Sequence, residues 1–269
     1  MLTIKHDLRT DPMCADGATI RHIADCHLGS PNCDLDLVNS LVQENVANHW
    51  YTFLVGDLWD VGLKDSKTDV FTQTGTITYW LDEAVEIFKP LAENGLILGV
   101  VQGNHENRLV RAAGMDLTHE LCERLGVGHL YNPHSVIALI QVGKQGSCTR
   151  TNGKHYNWAC NYLFHVTHGH GGGTTAGGRS NALKRASQKI DADVYLQGHT
   201  HHSDVLLGST LRVNRQHMLV TQVDQVFVCC GSCLTYEDSY GEGMNLAPSD
   251  NRYPRVFLHA DCNKVEATV

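Results

Sequence analysis

Five apolar runs in this chain each end in a fragment rich in carboxylate, imidazole or amide groups, and that recurrence constrains the fold more than any other feature. The fragments are Asp25-Cys26-His27, Gly56-Asp57 with Asp60 behind it, Gly103-Asn104-His105-Glu106, His168 within His168-Gly169-His170, and Gly198-His199-Thr200-His201. The runs before them have the length and composition of buried strands, so each fragment falls where a strand gives way to a loop. One such fragment would carry little weight; five in series read as the parts of a two-metal centre.

The remaining pattern is that of an α/β chain. Residues 19–25 read as a first strand, and 34–48 as a helix with Leu35, Leu37, Val38, Leu41, Val42 and Val46 on its apolar face. Residues 51–56 form a second strand, and a helix from 77 to 89 stops at Pro90. The strand 96–101 delivers a Gly-Asn-His-Glu turn. A helix at 117–125, a strand at 135–142 and a hairpin loop over 143–157 follow. The strand 162–167 ends at His168, and a glycine-rich loop at 171–178 leads into a helix over 181–189. A strand at 193–196 ends at Gly198-His199, and the rest, through 219–220, 226–228 and 256–258, reads as strands and loops. Strands alternating with helices, then a strand-rich end, predict α/β layering in one domain spanning 1–269. The segment 236–255, rich in glycine, asparagine, serine and proline, is a lid or a long connection.

Composition narrows the class. No apolar run is long enough to cross a bilayer, and the polar amino terminus does not resemble a secretory signal, so the chain reads as cytoplasmic. Ten cysteines lie without a regular framework in a chain too large to depend on disulfides. Cys230 and Cys233 make a C-x-x-C spacing with no second pair at zinc-ribbon distance, and reduced thiols are the better reading. A formal charge of −8 argues against a surface dedicated to duplex nucleic acid but not against a nucleotide or short strand as substrate. Seventeen histidines are many for this length, and metal binding is the simplest reason for some of them.

The spacing of the fragments carries chemistry. Asp25 and His27 are two apart, as are His199 and His201; in extended backbone such pairs project to one side, leaving Cys26 and Thr200 facing away. Gly56, Gly103 and Gly198 precede the ligands where the backbone must turn tightly or pack closely. Carboxylate, imidazole and amide oxygen together suit manganese, iron or zinc better than calcium, and the lack of thiolate argues against a closed structural zinc site. Two divalent ions would retain positive charge beside Asp25 and Asp57, drawing in a phosphate and offering an activated water as nucleophile.

The ordered set D-x-H, G-D-x-x-D, G-N-H-E, H and G-H-x-H, spanning residues 25 to 201, resembles the signature of the calcineurin-like metallophosphoesterases, most like compact bacterial and phage-type members. The resemblance implies an α/β fold of two packed mixed β-sheets flanked by helices. It implies that Asp25, His27 and His201 hold one metal ion and Asn104, His168 and His199 the other, with Asp57 bridging. His105 matches the family's general acid, with Glu106 helping to orient it. The implied activity is hydrolysis of a phosphate mono- or diester, with nuclease or cyclic-nucleotide diesterase action as the alternative. A non-catalytic scaffold of the same fold is the rival from another class, disfavoured because every ligand position is filled. Arg108 is a candidate phosphate contact against a surface salt bridge, and His170 a candidate substrate contact against a loop residue. The glycine-rich loop at 171–178 lacks the ending of a P-loop and reads as a rim or a connection.

Overall fold

Strands apolar on both faces need a layer on each side, and the chain supplies it by stacking two sheets. The computed structural model describes residues 1–64, 66, 70–143, 148–149, 155–156, 159–171, 175–243, 245 and 247–269. The first sheet is six-stranded and mixed, in the order β1 (Leu2–Asp7), β6 (Val136–Val142), β9 (Cys160–Val166), β10 (Val194–Gln197), β12 (Leu219–Cys229) and β11 (Asp204–Asn214). The second is also six-stranded, in the order β14 (Val265–Thr268), β13 (Arg255–His259), β2 (Gly17–Ile23), β3 (Tyr51–Val55), β4 (Ile97–Val101) and β5 (Tyr131–Asn132). Strands β2 to β5 run parallel, as do β9, β10 and β12, whereas β13 is antiparallel to both of its neighbours. Apart from Gly143, the short pair β7 (Cys148–Thr149) and β8 (His155–Tyr156) is the described part of the hairpin loop expected over 143–157; the rest of that stretch lies outside the described residues.

The core lies between the sheets. Phe53 of β3 and Phe164 of β9, both fully buried, stack across the interface with ring centroids 5.8 Å apart. Helices α1 (Leu35–Ala47) and α2 (Ile77–Glu93) pack together beside the second sheet and bury Val38, Leu41, Val42, Leu81, Phe88 and Leu91. Helix α3 (Asn104–Ala113) follows β4, and α4 (Leu117–Arg124) lies against β4 and β5. Helix α5 (Ala176–Lys184) covers the first sheet, where Leu183 joins Tyr195 and Phe227 in a smaller apolar cluster. No helix among the described residues is long and apolar enough to cross a membrane.

Several expectations need correction. Helix α2 does not stop at Pro90 but runs to Glu93. Proline loses the bond to the carbonyl four residues back and crowds it, but Glu86, which owns that carbonyl, lies on the exposed face and only three residues of helix follow. The Gly-Asn-His-Glu segment is the first turn of α3 rather than a free turn, and Gly114 in left-handed conformation (φ 68°) closes that helix. Helix α5 starts earlier than expected, running through Gly177 and Gly178, because the Thr175 hydroxyl accepts a hydrogen bond from Gly178 N and caps it. The segment 236–255 contains a short helix, α6 (Tyr240–Gly243). The fragments at 219–220 and 226–228 belong to one long hairpin, β11–β12. Replacing Phe164 with Ala should lower unfolding stability by about 3–5 kcal/mol, as read from urea denaturation.

Candidate metal centre

The carboxyl ends of β2, β3, β4, β9 and β10 meet at one edge of the sandwich, and the five fragments follow them. Two histidines tie the sheets there. His168 donates from Nδ1 to the Val55 carbonyl at 2.7 Å, and His22 from Nε2 to the Gln197 carbonyl at 2.8 Å. Burial keeps His22 neutral by pushing its pKa down to about 4. The β2–β3 ladder continues past the strands, with Asp25 N donating to the Gly56 carbonyl and His27 N to the Asp57 carbonyl, each at 3.1 Å.

The backbone of the ligand segments is not extended. Asp25 (φ 54°), His27 (53°), Asp57 (49°), His199 (71°) and His201 (56°) all adopt the left-handed conformation. Residues two apart still present their side chains to one place, but through paired left-handed positions rather than the pleat of a strand. Each costs a non-glycine residue about 1–2 kcal/mol, and such strain persists where the surroundings over-determine it. Cys26 and Thr200 face away as expected: Cys26 is fully buried, and the Thr200 hydroxyl lies 3.2 Å from Cys229 Sγ. Glycine is required where two ligand loops touch, since a Cβ at Gly103 would lie 2.1 Å from Asp57 N, and one at Gly56, 2.4 Å from Gly103 N.

Two groups of ligand atoms result, Asp25 with His27 and His201, and Asp57 with His168 and His199, while Asp57 also lies with His27 and His105. His27 and His201 approach through Nε2 atoms 3.1 Å apart, and His201 Nε2 is 3.4 Å from Asp25 Oδ1. His168 Nε2 is 3.1 Å from both Asp57 Oδ2 and Asn104 Oδ1. His199 Nα donates to Asp25 Oδ2 at 2.8 Å, and His105 Nα to Asp57 Oδ1 at 2.8 Å. His170 stands exposed at the rim, its ring parallel to that of His199 with centroids 6.4 Å apart.

Around these groups lies a second set of contacts. His105 donates from Nδ1 to the Asp60 carbonyl at 2.6 Å, and the Asp60 carboxylate lies 3.3 Å from the same nitrogen. Asp60 also stands 3.6 Å from His27 Nδ1 and accepts from Gln73 Nε2 at 2.8 Å. Burial alone would raise its pKa, but hydrogen bonds from His105 and His27 outweigh that and hold the carboxyl well below the usual range. Arg108 reaches His105 Nε2 at 3.0 Å through Nη2, and its buried Nη1 has no hydrogen-bond partner among the described residues.

Glu106 does not orient His105. It is fully buried and accepts backbone hydrogen bonds from Asp57 (3.2 Å), Leu58 (2.6 Å), Trp59 (3.2 Å) and Gly103 (2.9 Å), and so holds the Asp57 loop against the start of α3. Burial, helped by the Asp57 charge, pushes its pKa up to about 7. A glutamate at the third position of a helix that begins with glycine is the sequence sign of such backward capping. Nothing in the polar stretch before α2 marks Gln73.

The donor set fits divalent cations. Asp25 and Asp57 are almost wholly excluded from water, yet Asp25 Oδ1 has no hydrogen-bond partner among the described residues. Burial disfavours the His168 cation, but the Asp57 and Asp25 carboxylates overcome it and lift that pKa to about 10. Opposed imidazole nitrogens and buried carboxylates of this kind call for positive charge between them. The Cys230–Cys233 spacing contributes to no ligand group among the described residues, and both thiols are fully buried.

No family model and no curated protein matches the chain. Among solved structures it is similar to a conserved uncharacterized protein of Streptococcus pneumoniae described as a predicted phosphoesterase (15% identity over 94% of this chain and 98% of that one, TM-score 0.36). It is also similar to GAP50, the anchor in the inner membrane complex of Plasmodium (9%, 94% and 84%, TM-score 0.46), and to Vps29 of Entamoeba histolytica complexed with zinc (13%, 93% and 97%, TM-score 0.32). At these identities and TM-scores the likenesses assign no activity.

Glu106→Gln turns an amide N–H₂ toward backbone donors. It should cost about 2 kcal/mol of stability and weaken the binding of an added divalent cation ~10–100-fold, measured by denaturant titration and calorimetry.

Proposed function

We propose that this protein is a calcineurin-like phosphoesterase that uses two divalent metal ions, manganese first among them, to hydrolyse a phosphate mono- or diester. The observation that carries the reading is the pair of buried Asp/His groups meeting at Asp57, with His105 Nε2 3.8 Å from Asp57 Oδ2. Asp25, His27 and His201 would hold one ion and Asn104, His168 and His199 the other, with Asp57 available to both. Bound there, the ions supply Lewis-acid stabilisation of phosphoryl charge and an activated water.

The protein's own groups do the rest. The Asp60 carbonyl fixes the His105 proton on Nδ1 and turns Nε2 toward Asp57. Burial opposes a second proton on His105, but Asp60 and Asp57 favour it and raise the pKa. Arg108 can donate to Nε2 only while that nitrogen is unprotonated, so once Arg108 turns to the phosphate, protonated His105 presents Nε2–H to the leaving oxygen. Arg108, beside that nitrogen and with no partner for Nη1 among the described residues, offers the phosphate a charge-assisted hydrogen bond. His170 offers a rim contact to the ester group. The acidic chain tells against long duplex nucleic acid but not against a nucleotide or short strand as the ester.

Asp57→Asn should remove bound manganese and hydrolysis together, whereas His105→Ala should lower kcat ~10²–10⁴-fold with the metal retained. Elemental analysis alongside turnover of p-nitrophenyl phosphate and bis(p-nitrophenyl) phosphate checks both and ranks mono- against diester. Undiminished turnover by verified metal-free protein would overturn the reading.

A further inference from the structure

The β11–β12 hairpin carries an apolar surface that the metal centre does not use. Leu207, Leu211 and Val213 of β11 are 74%, 69% and 53% exposed, and Val220 of β12, directly opposite Val213, is 62% exposed. Alternation puts Val205 on this same face, and register puts Val226 and Val228 there too. Those three residues pack into the core between the two sheets. The stripe is therefore a core face that continues beyond the core.

The other face of the hairpin is occupied. Leu206 packs against the cluster of Tyr195 and Phe227, and Arg212 is held by Asp191 (2.7 Å) and Asp193 (3.1 Å). β11 is also the edge strand of its sheet, eleven residues long. Exposed edges are normally blunted by proline, inward charge or a covering loop. Here β11 has no proline or lysine, and its two charges, Asp204 and Arg212, are committed to Arg179 and to the Asp191–Asp193 pair.

We propose that β11 is a homodimer interface, with two copies pairing edge to edge and antiparallel about Ser209. The strand is self-complementary in that register. Ser209 is its midpoint, so all eleven residues find a partner. Leu207 faces Leu211 of the second copy, Val205 faces Val213, Asp204 faces Asn214, and Arg212 faces Leu206. Apolar side chains thus meet on the bare face and no like charges are opposed. Met218 and Leu219, at the tip of the same hairpin, are also exposed (79% and 60%). Pairing also satisfies the outward N–H and C=O groups of both strands and joins the two copies in one continuous sheet. The inference stands apart from the metal chemistry.

Sedimentation equilibrium of the full chain at micromolar concentrations should give twice the chain mass. Leu211→Lys, a change at an exposed position, should weaken association at least tenfold while the unfolding midpoint of the monomer, read at concentrations where both proteins are dissociated, stays at the wild-type value. Ser209→Cys should cross-link to a covalent dimer under a mild thiol oxidant, because the two-fold axis places the two side chains opposite each other; wild type and Asp224→Cys, one strand inward, should not. A monomer throughout the concentration range, a dimer indifferent to Leu211→Lys, or a Ser209→Cys variant that fails to cross-link would each overturn the proposal.

Discussion

Two carboxylates kept out of water at the seam between two sheets are the constraint on which the rest of the structure depends. Asp25 and Asp57 are 0% and 1% exposed. A buried charge is costly unless it is paired and hydrogen-bonded, and the surrounding elements are arranged to meet that demand. His168, anchored to the Val55 carbonyl, turns Nε2 to Asp57; the His199 and His105 backbone N–H groups donate to Asp25 and Asp57. The amino end of α3 faces Asp57, where its partial positive charge favours an anion.

Placing so many ligands in a small volume has a conformational cost. Five of the seven proposed metal ligands have positive φ without being glycine. What holds them is continued ladder bonding past the strand ends and the four backbone hydrogen bonds gathered by Glu106. Gly56 and Gly103 allow the Asp57 loop and the start of α3 to touch, a contact no side chain could share. Asp60 acts on the opposite flank and engages His27 and His105 at once. The proposed acid and a proposed metal ligand therefore share one support.

Much of this was legible residue by residue. Asp34 and Asn48 bound α1 because a side-chain cap and a periodic apolar face are local signals. The ligand fragments stand out because they end apolar runs. Pro90 misled, since a proline near a helix end costs little when the orphaned carbonyl can reach water. Helix α3 was hidden because its first turn is made of ligand residues and lacks an apolar repeat. The β11–β12 hairpin was hidden because its exposed leucines and valines leave no clean alternation of apolar and polar residues. Glu106 was assigned to its sequence neighbour His105, whereas its contacts lie with a loop almost fifty residues away.

By itself, then, the sequence determined the α/β layering, the kinds of ligand present and their order along the chain, because strand, helix and spacing are short-range properties. Only the tertiary structure decided that the ligands meet through left-handed backbone and that Glu106 braces the Asp57 loop. It alone decided that Asp60 couples two imidazoles and that an apolar face runs on past the core. Each of these depends on contacts between segments distant in the chain, and the free energy of burying a charge or leaving an edge bare is defined only once those segments are in place.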